Sequence, residues 1–209
     1  MTESSSIGEL EYFVILPETR EHPHFSVCLN RSRFEGNWHD AKNLAVQDGG
    51  FMLPLIYGLE FYRLLRSDND LFYINGKRID AAHRRIIVND IFYVGAPFRR
   101  EHFDTYFEDG KIVYTKLGSD LKLREVRESL SSCLDDGMIN LDEWLGNATQ
   151  QGLPSSRSNA SRKMFYSGPG KNTVAGFEAS IHGVKLMCDI DPEDSLFGFD
   201  RRIAKILVR

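Results

Sequence analysis

The sequence has few of the features that would assign it to a specialised class of protein. It holds three cysteines among 209 residues, too few and too scattered for a disulfide framework or a zinc cluster. None of its apolar runs approaches the roughly 20 residues needed to span a bilayer. The formal net charge of −4 at pH 7 gives no overall attraction to nucleic acid or to an anionic membrane. We therefore expect neither as a partner.

The first residues, MTESSSIGELEYF, also lack the basic and apolar segments of a secretion signal. This favours a cytoplasmic protein with reduced thiols, so we expect no disulfide among Cys28, Cys133 and Cys188. What the chain does have is an ordinary globular composition, 42% hydrophobic and 27% charged. Its length suits one large domain. We expect a single domain over residues 1–209.

The order of the apolar patterns predicts an α+β fold. Two early helices are indicated, one with Asn37 as its N-cap and one opening at Pro54. Each carries an apolar stripe at helical spacing. Further on, Asn75-Gly76 and Asp109-Gly110 lie between strand-like runs and are typical of hairpin turns. Between these turns, RRIIVNDIFYVGAP (84–97) is rich in β-branched residues and predicts more strand.

The second half of the chain is read in the same way. A helix is predicted from about Leu121, on four apolar residues at helical spacing: Leu123, Val126, Leu130 and Leu134. Asn140 and Glu143 form a capping-box pattern that predicts a short helix. Residues 151–172, rich in Ser, Gly and Asn, predict a long exposed loop. Two strands joined by a His182-Gly183 turn follow, and then a final strand.

An acidic stretch near the end of the sequence, HGVKLMCDIDPEDSLFGFD (182–200), is the clearest candidate for chemistry. It holds five carboxylates around a proline and a glycine: Asp189, Asp191, Glu193, Asp194 and Asp200. A calcium loop of the EF-hand type needs glycine at its sixth position and glutamate at its twelfth, and this stretch has aspartate at both. A pair of catalytic acids and a binding surface stay open as interpretations.

Two segments together follow the pattern of a known fold. In NWHDAKNLAVQDGGFMLP (37–54), a Trp-containing helix leads through glycine into a Leu-Pro helix start. In NTVAGFEASIHGVKLMCDIDPEDSLFGFD (172–200), a Gly-Phe strand and a strand ending near a cysteine precede a Pro-containing loop. The pattern resembles the C-type-lectin-like fold in the branch that includes formylglycine-generating enzymes. With DEWLGNATQQGLP (142–154), it is also similar to archaeal C-type-lectin-like proteins, including variable proteins of diversity-generating retroelements. The resemblance covers about residues 10–66 and 138–209.

The resemblance implies two early helices, twisted antiparallel strands and a loop-rich C-terminal half, with residues 67–137 as a β-rich insertion. It also implies that the first strand (about 12–16) pairs with the last (about 203–208). Folds of this kind carry function on loops held by a rigid frame. We therefore expect a non-catalytic protein, without cofactor or metal, that binds an unknown protein or other macromolecular ligand. Its exposed ligand-binding patch would comprise Glu178, Ser180, His182, Lys185, Met187, Asp189 and Asp191.

Two other functions use the same scaffold. A viral or phage-like structural or assembly protein would employ the 67–137 segment as its interface, and nothing in the sequence separates it from a ligand-binding protein. A formylglycine-generating-type oxidase holds copper with a soft thiolate pair. The resemblance places the partner of Cys188 at position 183, which is glycine here. We therefore expect neither this oxidase nor another enzymatic activity.

Overall fold

The protein has a mixed α+β fold, which confirms the α+β class predicted from the apolar patterns. The computed structural model describes residues 13–19, 23, 25–28, 32–34, 36–92, 99–157, 163–194, 199–201 and 203–206. Within these residues no helix is long and apolar enough to cross a membrane. The helices of this part of the chain are α1 (Trp38–Gln47), α2 (Leu55–Arg66), α3 (Ala81–Phe92) and α4 (Leu141–Asn147).

The strands form two sheets. Those of the smaller sheet are β1 (Phe13–Leu16), β2 (Phe25–Cys28), β4 (Phe51–Met52) and β13 (Ile203–Ile206). Those of the larger sheet are β3 (Ser32–Phe34), β5 (Arg99–Glu108), β6 (Lys111–Leu117), β7 (Leu123–Ser129), β8 (Gly137–Asn140), β9 (Lys163–Ser167), β10 (Thr173–Ser180), β11 (Gly183–Ile190) and β12 (Phe199–Arg201). The smaller sheet has the order β1-β2-β13-β4. The larger has the order β3-β12-β5-β10-β11-β9-β8, with β6 paired to β5 and β7 to β6.

The first two helices begin where the sequence predicts them. The Asn37 side chain accepts a hydrogen bond from the backbone N–H of Asp40 (3.0 Å), and the Asp40 carboxylate accepts one from the N–H of Asn37 (3.2 Å). This reciprocal capping satisfies two N–H groups that α1 would leave open. Pro54 immediately precedes α2. Both helix starts are confirmed.

The two hairpin predictions have different outcomes. At Asp109-Gly110, β5 and β6 pair directly across the turn, and Gly110 has the positive φ of 69° that such a turn requires. At Asn75-Gly76 the chain also turns, with a φ of 80° at Gly76. There the flanking residues form two isolated bridges in place of paired strands: Phe72 to Arg78 across the turn, and Tyr73 to Val14 of β1.

The strand predicted over 84–97 is wrong where the structure describes it, because these residues lie in α3. The Asp80 carboxylate accepts a hydrogen bond from the backbone N–H of His83 (2.7 Å) and so caps the start of the helix. Ile87 and Ile91, one turn apart, are buried. An N-cap and one buried face outweigh the strand preference of β-branched residues. The end of the predicted segment, after Phe92, lies outside the described residues.

The helix predicted from Leu121 is also wrong, since the chain forms β7 there. Strand β7 pairs antiparallel with β6 along its whole length. The connection is a tight turn in which the N–H of Gly118 donates to the carbonyl of Lys122 (2.9 Å) and Leu121 has a φ of 60°. Pairing with β6 satisfies the backbone N–H and C=O groups of this segment. Apolar residues at helical spacing do not by themselves make a helix stable.

Residues 151–172 are less exposed than predicted. Gln151 to Pro154 are buried, and β9 lies within the segment, between β8 and β11. Its alternation of buried Met164, exposed Phe165 and buried Tyr166 is the period of a strand with two different faces. Residues 158–162 are outside the described part of the chain.

The first and last strands lie in one sheet but do not pair with each other, so the predicted pairing is wrong. Strand β2 lies between them: Val27 is paired with Val14 of β1 on one side and with Ala204 of β13 on the other. The β1–β2 pair joins segments close in sequence, and β13 pairs with the opposite edge of β2.

Residues 67–137 are integral to the core. Strand β5 lies in the interior of the larger sheet, with Phe103 and Phe107 fully buried. The segment contributes α3 as well as β5, β6 and β7. That it is an insertion stays a prediction, but several of its described residues, Ile87, Phe103 and Phe107 among them, belong to the hydrophobic core.

Candidate functional site

The larger sheet has two unlike faces. Alternation along its strands places buried residues on one side, which we call the inner face: Phe103, Ile139, Tyr166, Phe177 and Leu186. The opposite, outer face carries the residues that alternate with them: Met138, Phe165, Glu178, Ser180, Lys185 and Met187. Most of the predicted ligand-binding patch therefore lies on the outer face.

The structure divides the predicted patch by exposure. Glu178 and Ser180 are each 1% exposed, so the exposure expected of these two residues is wrong. Lys185 and Met187 are half-buried. The exposed members are His182, Asp189 and Asp191. Binding through this patch stays a prediction.

Both buried members of the patch have structural partners. Glu178 lies opposite Lys185 in the β10–β11 pair, and its Oε1 is 3.5 Å from the Lys185 Nζ. Such cross-strand pairing offsets the cost of removing a carboxylate from water. The Ser180 hydroxyl oxygen accepts a hydrogen bond from the N–H of His182 (3.2 Å), which closes the turn at Ile181 and His182.

The acidic stretch serves as an anchor for its own loop. Asp191 Oδ1 accepts a hydrogen bond from the N–H of Glu193 (2.9 Å). Glu193 in turn accepts one from the Asn37 side chain (3.0 Å) and lies 3.3 Å from His39, so the loop is attached to the start of α1. Across the described ranges, no three His, Cys, Asp or Glu side chains converge as a possible metal site.

An exposed apolar pair was missed by the sequence analysis. Met138 of β8 and Phe165 of β9 are directly paired and are 44% and 40% exposed. Phe165 is in turn paired with Lys185 of β11. We call Met138, Phe165, Lys185 and Met187 the outer sheet surface. The alternation in KMFYS, residues 163–167, was the available signal.

Two free thiols lie near one buried tyrosine. Cys188 and the Tyr166 side chain are fully buried, and Cys133 is half-buried. Burial raises the pKa of all three groups above their usual values. The thiols are therefore protonated at neutral pH, which makes them poor nucleophiles and poor metal ligands.

Because the Cys188 thiol is buried and its pKa is raised, we expect the protein to lose stability at alkaline pH. In the unfolded chain a thiol ionises near pH 8.5, whereas the raised pKa keeps Cys188 protonated in the folded protein. The unfolded state thus binds fewer protons, and the free energy of unfolding falls as pH rises above about 8.5, by up to about 1.4 kcal/mol per pH unit for this group. Urea denaturation between about pH 7 and pH 10 measures the slope. Cys188→Ala should make it shallower, and an unchanged slope in that variant would contradict the assignment.

A hollow lies away from the predicted patch, between α2, the β6–β7 hairpin and the turn after α4. It has a volume of about 360 Å³, and we call it the polar cleft. Its polar walls include Tyr57, Glu60, Arg63, Tyr114, Lys116 and Glu128. The sequence analysis missed it because β7 was expected to be a helix.

Compared with models of known protein families, with curated proteins and with solved structures, the chain matches none.

Proposed function

We propose that the chain is a non-catalytic binding protein on a C-type-lectin-like scaffold, and that its ligand is another protein, which docks on the outer sheet surface. The observation that carries the proposal is the Met138–Phe165 pair. Two large apolar side chains lie side by side, each about two-fifths exposed, on the regular part of a sheet. Exposed apolar clusters of this kind mark contact sites.

The outer sheet surface suits docking for a physical reason. Its side chains project from paired strands, so little backbone ordering is needed when a partner binds. Completing the burial of Phe165 and Met138 would contribute about 1–2 kcal/mol each. Lys185 lies beside Phe165 and is held by Glu178, which fixes a cation at the edge of the apolar pair and favours a partner with an acidic rim.

The lectin-like scaffold is supported by the order of three features. The capped helix α1 leads to α2 at Pro54, and the late β10–β11 hairpin precedes a proline-containing loop. The described architecture adds a long central strand, β5, from the segment that the resemblance does not cover. The exposed predicted residues His182 and Asp189 lie in the hairpin turn and on β11, at the margin of the outer sheet surface.

A site-specific photo-crosslinker at position 165 tests the proposal. Introduced in place of Phe165 in the native host, it should give a discrete protein adduct that mass spectrometry identifies. Phe72 is a matched control, because it is 41% exposed but belongs to the turn beside the smaller sheet. The adduct should be weakened when His182 and Lys185 are both replaced by alanine.

The adduct also separates the candidate functions. A different protein attached at 165, and not at 72, supports a binding protein. A second copy of this chain at 165 supports a structural or assembly role. No adduct at 165, or the same adducts at both positions, would move the binding surface elsewhere.

A further inference from the structure

The polar cleft has the size and wall chemistry of a small-molecule site. Its volume of about 360 Å³ lies at the lower end of the range of roughly 300–1,000 Å³ for ligand pockets. One wall is a buried to half-buried side of α2, and the other is formed by β6 and β7. The turn that follows α4 closes one end with Ala148, Thr149 and Gln150.

A carboxylate is held in place on the β7 wall. Glu128 Oε1 accepts hydrogen bonds from the Tyr114 hydroxyl (3.3 Å) and from the Gln151 side-chain amide (2.9 Å). Gln151 is itself 5% exposed and is fixed by the backbone, donating to the Ser129 carbonyl (2.8 Å) and accepting from the N–H of Ser131 (2.7 Å). Both bonds to Glu128 go to one oxygen. Among the described residues, Oε2 has no protein partner and is open to a donor from a ligand.

A guanidinium is held in place on the α2 wall. The Nε–H of Arg63 donates to the Leu145 carbonyl, at the end of α4. Among the described residues its two terminal nitrogens form no hydrogen bond or ion pair, although the Glu60 carboxylate, one turn earlier on α2, interacts with the guanidinium electrostatically. They form a planar fork suited to a carboxylate. The cleft therefore presents an open cation receptor at Glu128 and an open anion receptor at Arg63.

The remaining charges of the cleft balance each other. Glu60 and Lys116 line it as well, which gives two acidic and two basic side chains in all. A ligand of one charge sign would meet a like charge on the facing wall, and like charges in a partly enclosed site repel. A ligand that carries both signs matches both receptors.

We propose that the polar cleft binds a small zwitterion, with its ammonium group on Glu128 and its carboxylate on Arg63. The assignment is independent of protein docking on the outer sheet surface, because the two sites share no residue. Tyr57 and Tyr114 also line the cleft and would contact the body of the ligand.

Ligand-observed and amide NMR on the full chain test this inference. The probes are a series of linear amino acids of increasing length, from glycine to 5-aminopentanoate, because the length that fits reports the span between the receptors. The matched controls are propylamine and propionate, which carry one charge each. At least one zwitterion should bind and shift amide signals around Glu128 and Arg63, with an affinity roughly tenfold or more above either control.

Variants distinguish a site from a surface effect. Glu128→Gln keeps the shape and one acceptor oxygen for Tyr114 and Gln151, but it replaces the second oxygen with an NH2 donor and removes the charge. It should weaken zwitterion binding by roughly tenfold or more. Arg63→Gln should do the same. Lys171→Ala, at an exposed position outside the cleft, should leave zwitterion binding unchanged. If the folded wild-type protein binds no member of the series at millimolar concentrations, or binds the singly charged controls equally well, the inference is overturned.

Discussion

Replacing Gly58 with alanine is expected to destabilise the protein by about 1–3 kcal/mol, although the same change inside a helix is ordinarily stabilising. Gly58 lies in α2, where the helix crosses β5. A Cβ atom built on it would lie 2.4 Å from Cε1 of Phe103, well inside van der Waals contact. Phe103 is fully buried and has no free space to turn into, so α2 must move away from the sheet. Urea denaturation monitored by circular dichroism measures the loss.

Gly146 offers the matched control in the same protein. It lies in α4 and is exposed, and a Cβ atom added to it would meet no atom within 4 Å outside its own helix and chain neighbours. Gly146→Ala should therefore stabilise the protein by about 0.5 kcal/mol, through the helix preference of alanine alone. Opposite signs for the two substitutions are the expected result. If Gly58→Ala is neutral or stabilising, α2 does not approach β5 as closely as described.

The elements that could be predicted from the sequence are those with a local signal. Asn37 and Pro54 mark helix starts because a cap and a proline act on the first turn itself. Asp109-Gly110 marks a hairpin because the positive φ is required at that position. Where the outcome depends on pairing with another strand, the pattern misled: β7 exists because β6 pairs with it, and β9 because β8 and β11 flank it.

The candidate sites could be predicted from the sequence only in part. Alternation along β10 and β11 correctly separates Phe177 from Glu178, but it does not tell whether a face is covered. Glu178 and Lys185 lie on the same face and form one cross-strand pair. Glu178 is nevertheless 1% exposed, whereas the Lys185 side chain is 34% exposed. The polar cleft could not be predicted from the sequence. Arg63 of α2 and Glu128 of β7 are far apart in the chain, and they line one hollow only in the folded protein.

Phe177→Ala is expected to be among the most damaging single substitutions in the chain, with a loss of about 3–5 kcal/mol. Phe177 is 2% exposed on the inner face of β10. Its ring contacts three helices at once: Tyr62 of α2 and Phe92 of α3 at 5.5 Å each between centroids, and Trp144 of α4 at 6.3 Å. Truncation removes the buried apolar area of the ring. It also leaves a cavity between the larger sheet and the helices, which pack too rigidly to fill it.

Phe165→Ala is the control, because the same residue type is removed from the opposite face of the same sheet. Its side chain is 40% exposed, so little packing is lost and the cost should stay below about 1 kcal/mol. Thermal and urea denaturation of the two variants side by side measure the difference. The free energy of unfolding of such a domain is only about 5–15 kcal/mol. Phe177→Ala should therefore lower the melting temperature severely, whereas Phe165→Ala should hardly change it. Comparable losses in the two variants would mean that the inner and outer faces are assigned wrongly, and the outer sheet surface would then no longer be available to a partner.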